Sequence, residues 1–312
     1  MKIGNIELHN NLILAPMAGV TDIAFRSLCV SEGADYAVTE MVSVKALEYR
    51  NEKTFDLLRT ADNEKIKVVQ LFGYEPESFA NVVQMPELDK FDIIDINMGC
   101  PMPKVADNGS GSALMKNMEL AREIIKACVN ATDKPVTVKF RKGWDDESCN
   151  AVEFAKMCES AGASAITIHP RTREQYYSGK ADWNIARQIK EAVTIPVIIS
   201  GDIVDVQSYH KALEITGCDA VMIGRGALGN PAIFSSLRGE KSQYSTYDFI
   251  VRHIDILRQY YSDSLIVKYM RKHLLWYLKS YQNSKTIKSE IVTYNSIDEV
   301  LNVLKKFFDK ET

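Results

Sequence analysis

The chain has 312 residues, 46% of them hydrophobic and 25% charged, an ordinary globular composition that excludes a disordered protein. That length fits one large domain of about 200–250 residues with a small one beside it. A formal net charge of −3 gives no global basic field of the kind that marks a nucleic-acid binder. No apolar run approaches the roughly 20 residues of a membrane span, and residues 1–10 lack the pattern of a signal peptide, so a cytoplasmic protein is expected. Cys29, Cys100, Cys128, Cys149, Cys158 and Cys218 form no CxxC pair and have no histidine at ligand spacing. Reduced thiols are expected rather than a disulfide framework or a zinc site.

Short β-rich apolar runs recur along the chain. They predict strands at Leu12–Ala15, Asp35–Thr39, Lys67–Phe72, Ile93–Asn97, Val136–Phe140, Ala165–His169, Val197–Ser200 and Ala220–Gly224. Helical periodicity fills the spaces between them. Ile23–Val30 stops before Gly33, Val152–Cys158 before Gly162 and His210–Ile215 before Gly217. Several strands are almost continuously apolar, as in a parallel sheet buried on both faces. Eight β-then-α units in about 235 residues match a (β/α)8 TIM barrel, with a doubly wound open sheet as the alternative architecture.

The pattern changes after Arg238-Gly239-Glu240-Lys241. Residues 241–312 show three helical patterns and no strand, with Ser-x-x-Asp/Glu capping signals at Ser245/Asp248 and Ser296/Glu299. This segment holds 12 Lys+Arg against 8 Asp+Glu, while residues 1–240 hold 26 against 33. A small basic all-helical domain, 241–312, is therefore expected on an acidic barrel, 1–240. A helix over Leu265–Tyr281 would gather Lys268, Lys272 and Lys279 on one side, with Arg271 adjacent. Met270, Leu274, Tyr277, Leu278 and Tyr281 would lie opposite.

A TIM barrel forms its site at the C-terminal ends of its strands. Polar and special residues gather there: Pro16, Met17 and Ala18; Glu40; Gln70; Asn97 with Cys100; Lys139 with Arg141; His169 with Arg171; Ser200, Gly201 and Asp202; Gly224 and Arg225. The last two groups read as a phosphate cradle, since barrels hold phosphates between the loops after strands seven and eight. Gly224–Gly229 also spells G-x-G-x-x-G, but it follows the eighth strand, where the dinucleotide fingerprint has no structural context. Cys100 lies on a Gly-Cys-Pro loop at this face, where an un-ionised thiol is a competent proton donor. Lys139 should point inward, paired with Asp95 or Glu40 or set to offset negative charge on a cofactor. His169 reads either as a hydrogen-bonded core histidine or as part of a polar site loop.

On these segments the chain resembles the tRNA-dihydrouridine synthases, in particular their bacterial B-type subfamily. The matching stretches are Leu14-Ala15-Pro16-Met17-Ala18-Gly19-Val20-Thr21-Asp22, Gln70-Leu71-Phe72-Gly73, Asp95-Ile96-Asn97-Met98-Gly99-Cys100-Pro101 and Val138-Lys139-Phe140-Arg141-Lys142-Gly143-Trp144. They continue through Arg171-Thr172-Arg173-Glu174-Gln175, Tyr177–Trp183, Gly201-Asp202-Ile203, Ile223-Gly224-Arg225-Gly226 and Arg271-Lys272-His273-Leu274-Leu275-Trp276-Tyr277. Two positions depart from the family pattern: Ser200 stands where Asn is common, and Pro170 where Gly is common.

The resemblance implies FMN in the barrel mouth, reduced by NADPH or NADH, with hydride passing to C6 of a uridine in tRNA. By residue-wise analogy Cys100 protonates C5. Pro16, Met17, Ala18, Gln70 and Lys139 hold the flavin ring, and His169 lies where flavin meets substrate. Ser200, Gly201, Asp202, Gly224 and Arg225 cradle the phosphate. Asn97, Arg141 and Arg171 face the flipped base, and Lys268 and Lys272 the tRNA. No protein partner is implied. Two rival readings are an FMN-dependent barrel reductase of a free pyrimidine or small enone, which needs no basic tail, and a non-catalytic RNA-binding protein, which needs neither Cys100 nor Lys139.

Overall fold

The structure, a computed structural model, describes residues 1–311. An N-terminal hairpin, β1 (Lys2–Ile3) and β2 (Ile6–Glu7), precedes eight parallel strands closed into a barrel. These are β3 (Leu12–Leu14), β4 (Tyr36–Ser43), β5 (Lys67–Phe72), β6 (Ile93–Met98), β7 (Val136–Gly143), β8 (Ala165–Thr172), β9 (Val197–Ser200) and β10 (Ala220–Ile223). The barrel, not the open sheet, is the architecture. Strand alternation sorts the residues. In β6 and β7, Ile94, Ile96, Val136, Val138 and Phe140 face out to the helices. Ile13, Tyr36, Val38, Val68, Ile93, Ile198 and Met222 fill the base of the barrel interior, plugged by Ile3 and Leu8 at the hairpin. The interior is apolar at its base and turns polar towards the strand ends.

Three strands run further than the apolar runs suggest. β4 continues through Glu40 to Ser43 across an irregularity between Val38 and Met41. β7 and β8 stay paired as far as Gly143↔Thr172. In β7 and β8 the extra residues are mostly polar and read as loop, but Arg141 braces that extension by donating to the carbonyls of Gly99, Thr172 and Tyr176.

The helices in chain order are α1 (Ile23–Ser31), α2 (Val44–Glu48), α3 (Glu52–Asp56), α4 (Pro76–Val83), α5 (Pro103–Ala106), α6 (Met118–Ala131), α7 (Ala151–Ser160), α8 (Trp183–Ala192), α9 (Val206–Thr216) and α10 (Ile233–Leu237). Four more follow, α11 (Thr246–Arg258), α12 (Asp263–Tyr277), α13 (Ser284–Ile291) and α14 (Ile297–Glu311), where three were expected. The extra one, α13, is short and mostly polar, with only Ser284, Ile287 and Ile291 buried. The Ser245/Asp248 capping box forms as read. The helix expected over Leu265–Tyr281 ends at Tyr277, so Lys279 leaves the Lys268/Lys272 face. No helix among the described residues is long and apolar enough to cross a membrane.

α11 packs along α1, α12 reaches the start of α1 through His273, and α13 and α14 pack on α11 and α12. Ile23, Ala24 and Leu28 share one apolar cluster with Phe249, Ile254, Met270, Leu274 and Leu304. At the centre of that contact lies Asp22. Its Oδ1 accepts from the backbone N–H of Ala24 and Phe25 at 2.9 Å each, capping α1. The same carboxylate lies 3.3 Å from His253 Nε2 of α11 and 3.1 Å from His273 Nε2 of α12. His253 Nδ1 is 3.2 Å from the Tyr277 hydroxyl. Burial pushes the Asp22 carboxyl up, but the charges and hydrogen bonds of the two histidines together hold it well below the usual carboxylate range. Burial pushes His273 down, and the neighbouring His253 adds to this. These three residues are also the one metal-ligand-type group brought together among the described residues, and the N···O separations are hydrogen-bond lengths.

Replacing Asp22 by alanine removes a helix cap and leaves two buried imidazoles without the carboxylate beside them. The expected loss is about 2–4 kcal/mol of stability in urea unfolding at pH 7.5. Asp22→Asn, which can still cap, should lose clearly less. Equal losses in the two variants would remove the histidines from the account.

Candidate active site at the barrel mouth

The polar strand ends enclose a cavity of about 750 Å³ at the barrel mouth, within the usual range for a small-molecule site. Every residue expected at a cofactor lines it: Pro16, Met17, Ala18, Gln70, Lys139, His169, Ser200, Gly201, Asp202, Gly224 and Arg225. Cys100, Asn97 and Arg141 line it too. Arg171, Lys268 and Lys272 do not. The sequence reading missed Met41, Tyr177 and Lys279 as lining residues. Lys279 arrives because the chain turns just after α12, and neither Gly nor Pro announces that turn.

Strand register builds one wall. Gln70 pairs with Asp95, Asp95 with Thr137, and Asn97 with Lys139 on adjacent strands. Asn97 Oδ1 accepts from the N–H groups of Gly99 (3.1 Å) and Cys100 (2.9 Å), tying down the loop after β6. Burial pushes the Cys100 thiol up, against the Met102 N–H and the charges of Arg141 and Lys139. It therefore carries its proton at neutral pH. Burial and the nearby Arg141 lower Lys139 to about 8, while Asp95 and Cys100 oppose the shift. The expected carboxylate partners sit otherwise. Glu40 accepts from Gly19 N–H, and Asp95 is engaged by Gln70 and Thr137.

The opposite wall is cationic. Arg171 is buried, and its guanidinium donates to the carbonyls of Ser178 (3.0 Å) and Gly179 (2.7 Å) and to Asp202 (2.7 Å). Its Nη1 lies 3.3 Å from His169 Nε2, and because guanidinium only donates, Nε2 is the acceptor and Nδ1 carries the proton. Burial, then Lys139, Arg141, Arg171 and Arg225, push His169 well below its usual value, so the ring is neutral. Arg225 stacks over Tyr177 at 4.9 Å. Arg141 spends Nε and Nη1 on backbone carbonyls, leaving Nη2 without a partner among the described residues.

The loops after β9 and β10 suit an anion. The N–H groups of Gly201, Asp202, Gly224 and Arg225 make no hydrogen bond among the described residues. Gly201 has φ +116°, and a Cβ there would lie 2.8 Å from the His169 ring, so only glycine lets the backbone pass this close. Asp202 holds a left-handed φ of 59°. Its carboxylate is turned onto Arg171 and the Ala181 N–H (2.7 Å), which neutralises a charge that would otherwise repel a phosphate. A monoanionic or dianionic phosphate with a flat ring behind it fits this donor set and this volume.

A family model described as dihydrouridine synthase matches residues 13–312. A tRNA-dihydrouridine synthase B of Vibrio parahaemolyticus is 39% identical over 99% of both chains, and one of Vibrio cholerae is 38% identical over 99% of both. Among solved structures, morphinone reductase shares the fold with a TM-score of 0.55 at 12% identity, over 80% of this chain and 91% of that one. Histamine dehydrogenase from Rhizobium sp. 4-9 gives 0.60 at 14% over 77% of this chain, which spans about half, 47%, of that larger protein.

The folded-state pKa of Lys139 near 8 lies below the unfolded value near 10.5, so the desolvated ammonium costs stability below pH 8, and the cost fades as pH rises from 8 to 10.5. Lys139→Met should stabilise the ligand-free protein by about 1–3 kcal/mol at pH 7, and by less at pH 10. Urea titrations at the two pH values measure this. A variant less stable than wild type at pH 7 would contradict it.

Proposed function

The chain belongs to the dihydrouridine synthase family and is an oxidoreductase, and from that premise we propose that it reduces uridine in tRNA to 5,6-dihydrouridine. FMN is the cofactor, NADPH the reductant, Cys100 the general acid and residues 241–312 the tRNA-binding region. The observation that carries this reading is the convergence of a proton-bearing thiol, a half-buried lysine and an anion cradle on one cavity.

Bound in this cavity, FMN would supply two-electron transfer. The chain's own residues do the rest. The free N–H groups of Gly201, Asp202, Gly224 and Arg225, with the Ser200 hydroxyl and the Arg225 guanidinium, hold the phosphate. Pro16, Met17, Ala18 and Gln70 bound the ring, and Lys139 opposes negative charge on it. His169, neutral, lines the same cavity, where flavin and substrate would meet. The uridine must leave its stack to enter, and Asn97 and the spare Nη2 of Arg141 suit the polar edge of a uracil. When C6 is reduced, charge accumulates as an enolate, and the Cys100 thiol, un-ionised at neutral pH, gives its proton to C5. Arg171 serves indirectly, through His169 and Asp202.

The mouth by itself would also serve a free pyrimidine. Favouring tRNA are the exposed Lys268 and Lys272 of α12 and the Lys279 side chain at the cavity rim, all on the basic segment. Lys272 Nζ reaches over the loop after β3, close enough that a Cβ on Gly19 would meet it at 2.6 Å.

The direct test assays purified protein with FMN and NADPH on a tRNA transcript and on free uracil, reading dihydrouridine by mass spectrometry. Product from tRNA alone supports the reading. Product from uracil with equal efficiency, or none from either, would remove it. Cys100→Ala should keep flavin binding and flavin reduction while slowing dihydrouridine formation about 10²–10⁴-fold. A wild-type rate would return the thiol to a packing role. Lys268→Glu combined with Lys272→Glu should weaken tRNA binding and flatten its salt dependence, with FMN content unchanged. Identical affinities and slopes across a salt series would move the RNA footprint off α12.

A further inference from the structure

Beneath the cavity floor, one buried acid controls the orientation of two amides. Thr137 Oγ1 donates to Asp95 Oδ1 at 2.6 Å, and Gln70 Nε2 donates to Asp95 Oδ2 at 2.7 Å. Asn97 Nδ2 then donates to Gln70 Oε1 at 2.7 Å, and Asn97 Oδ1 accepts from the Gly99 and Cys100 N–H groups. Each link has only one workable direction. A carboxylate only accepts, so Gln70 must present its NH₂ to Asp95 and its oxygen to Asn97. Asn97 must therefore present NH₂ to Gln70 and its oxygen to the loop. Reversing either amide sets oxygen against oxygen, or NH₂ against two N–H groups. Gln70, Asp95 and Asn97 are 1%, 2% and 8% exposed, so water cannot make good a reversed link. The interior directly below is apolar, and a carboxylate is an expensive occupant where Val38, Val68 and Ile198 pack.

We propose that Asp95 is a positioning residue which, through Gln70 and Asn97, sets the backbone of the loop that presents Cys100. The inference rests on Cys100 being the proton donor proposed above. Asp95 lies outside the cavity lining, and control runs from the barrel interior to the loop. Burial pushes the Asp95 carboxyl up to about 6, against its bonds from Thr137 and Gln70 and the charge of Lys139. Protonation leaves the relay intact, because Oδ1–H can donate to the Thr137 hydroxyl while Oδ2 still accepts from Gln70. Asparagine at 95 can do the same, with Nδ2 towards Thr137 and Oδ1 towards Gln70. Leucine cannot.

The experiment uses full-length protein reconstituted with FMN and compares Asp95→Asn, Asp95→Leu, Asn97→Ala and the Asp95→Leu/Asn97→Ala double variant. Asp95→Leu should lower the rate of dihydrouridine formation at saturating tRNA about 10–100-fold, with KM for tRNA within about 3-fold, and Asp95→Asn should stay within about 5-fold of wild type. Adding Asp95→Leu to Asn97→Ala should cost less than about 3-fold more, because the path through Asn97 is already cut. Alkylation by iodoacetamide, mapped by mass spectrometry, supplies an arm independent of the reaction. Cys100 should react several-fold faster in Asp95→Leu but not in Asp95→Asn, with exposed Cys149 unchanged as internal control. Additive losses in the cycle, or unchanged rate and alkylation in Asp95→Leu, would overturn the proposal. If Asp95→Leu does not fold, Asp95→Ser, too short to reach Gln70, takes its place with the same expectations. Should wild type make no dihydrouridine, or Cys100→Ala keep full activity, the functional reading fails, and the alkylation arm still decides whether Asp95 sets the loop.

Discussion

The carboxylate of Asp22 is the point on which the arrangement of barrel mouth and helical tail turns. It caps α1, and it also lies against histidines on α11 and α12, at 3.3 and 3.1 Å, that stand 231 and 251 residues further along the chain. The loop from Pro16 to Thr21, which forms one edge of the cavity, ends at this residue. That loop is held from within by Met17 N–H on Thr21 Oγ1 (3.1 Å) and from below by Arg26, which donates to the Thr21 carbonyl at 2.8 Å. Arg26 is itself paired with buried Glu64 at 3.0 Å. Tail, first helix and cavity edge are thus joined through a few charged groups taken out of water, where losing one partner leaves the other unsatisfied. Because α12 is held in this way, Lys272 lies over Gly19 and Lys279 reaches the rim.

The mouth illustrates how one environment sets several protonation states. Lys139, Arg141, Arg171 and Arg225 surround His169, and together with burial they keep the imidazole neutral. The same burial keeps the Cys100 thiol protonated although two cations stand nearby. Asp202, the acid nearest this group, is consumed by Arg171 and a backbone N–H, so the net field at the mouth is positive in a chain whose overall charge is −3. Local charge, not the total, decides what such a cavity attracts.

Much of the fold was legible in the sequence. The eight strands are apolar because both faces of a parallel barrel are buried, so each run stands out from its flanks. Most of the cavity residues were legible because they lie at the ends of those runs or directly after them, and a barrel must bring eight strand ends into one ring. Strand ends were less so. β7 and β8 extend through Arg141-Lys142-Gly143 and Pro170-Arg171-Thr172, polar stretches whose pairing depends on a guanidinium reaching carbonyls on other segments. The end of α12 and the existence of α13 were obscured for a related reason: nothing local marks them, and tertiary packing decides.

By itself the sequence determined the basic tail, by its charge count, and the barrel and the side chains that had to meet at the mouth, by strand alternation and strand count. Only the tertiary structure decided which of those side chains face the cavity and which support it. Arg171 and Asp95 have the same chemical character as their cavity-lining neighbours, yet each is turned away and spent on partners from other strands and loops. The sequence likewise could not place Asp22 beside His253 and His273, because a contact across more than two hundred residues leaves no periodic trace and is set by how the tail helices dock on α1. Hydrogen-bond direction belongs to the same class. It follows from which donor meets which acceptor, and that is known only once the strands are in register.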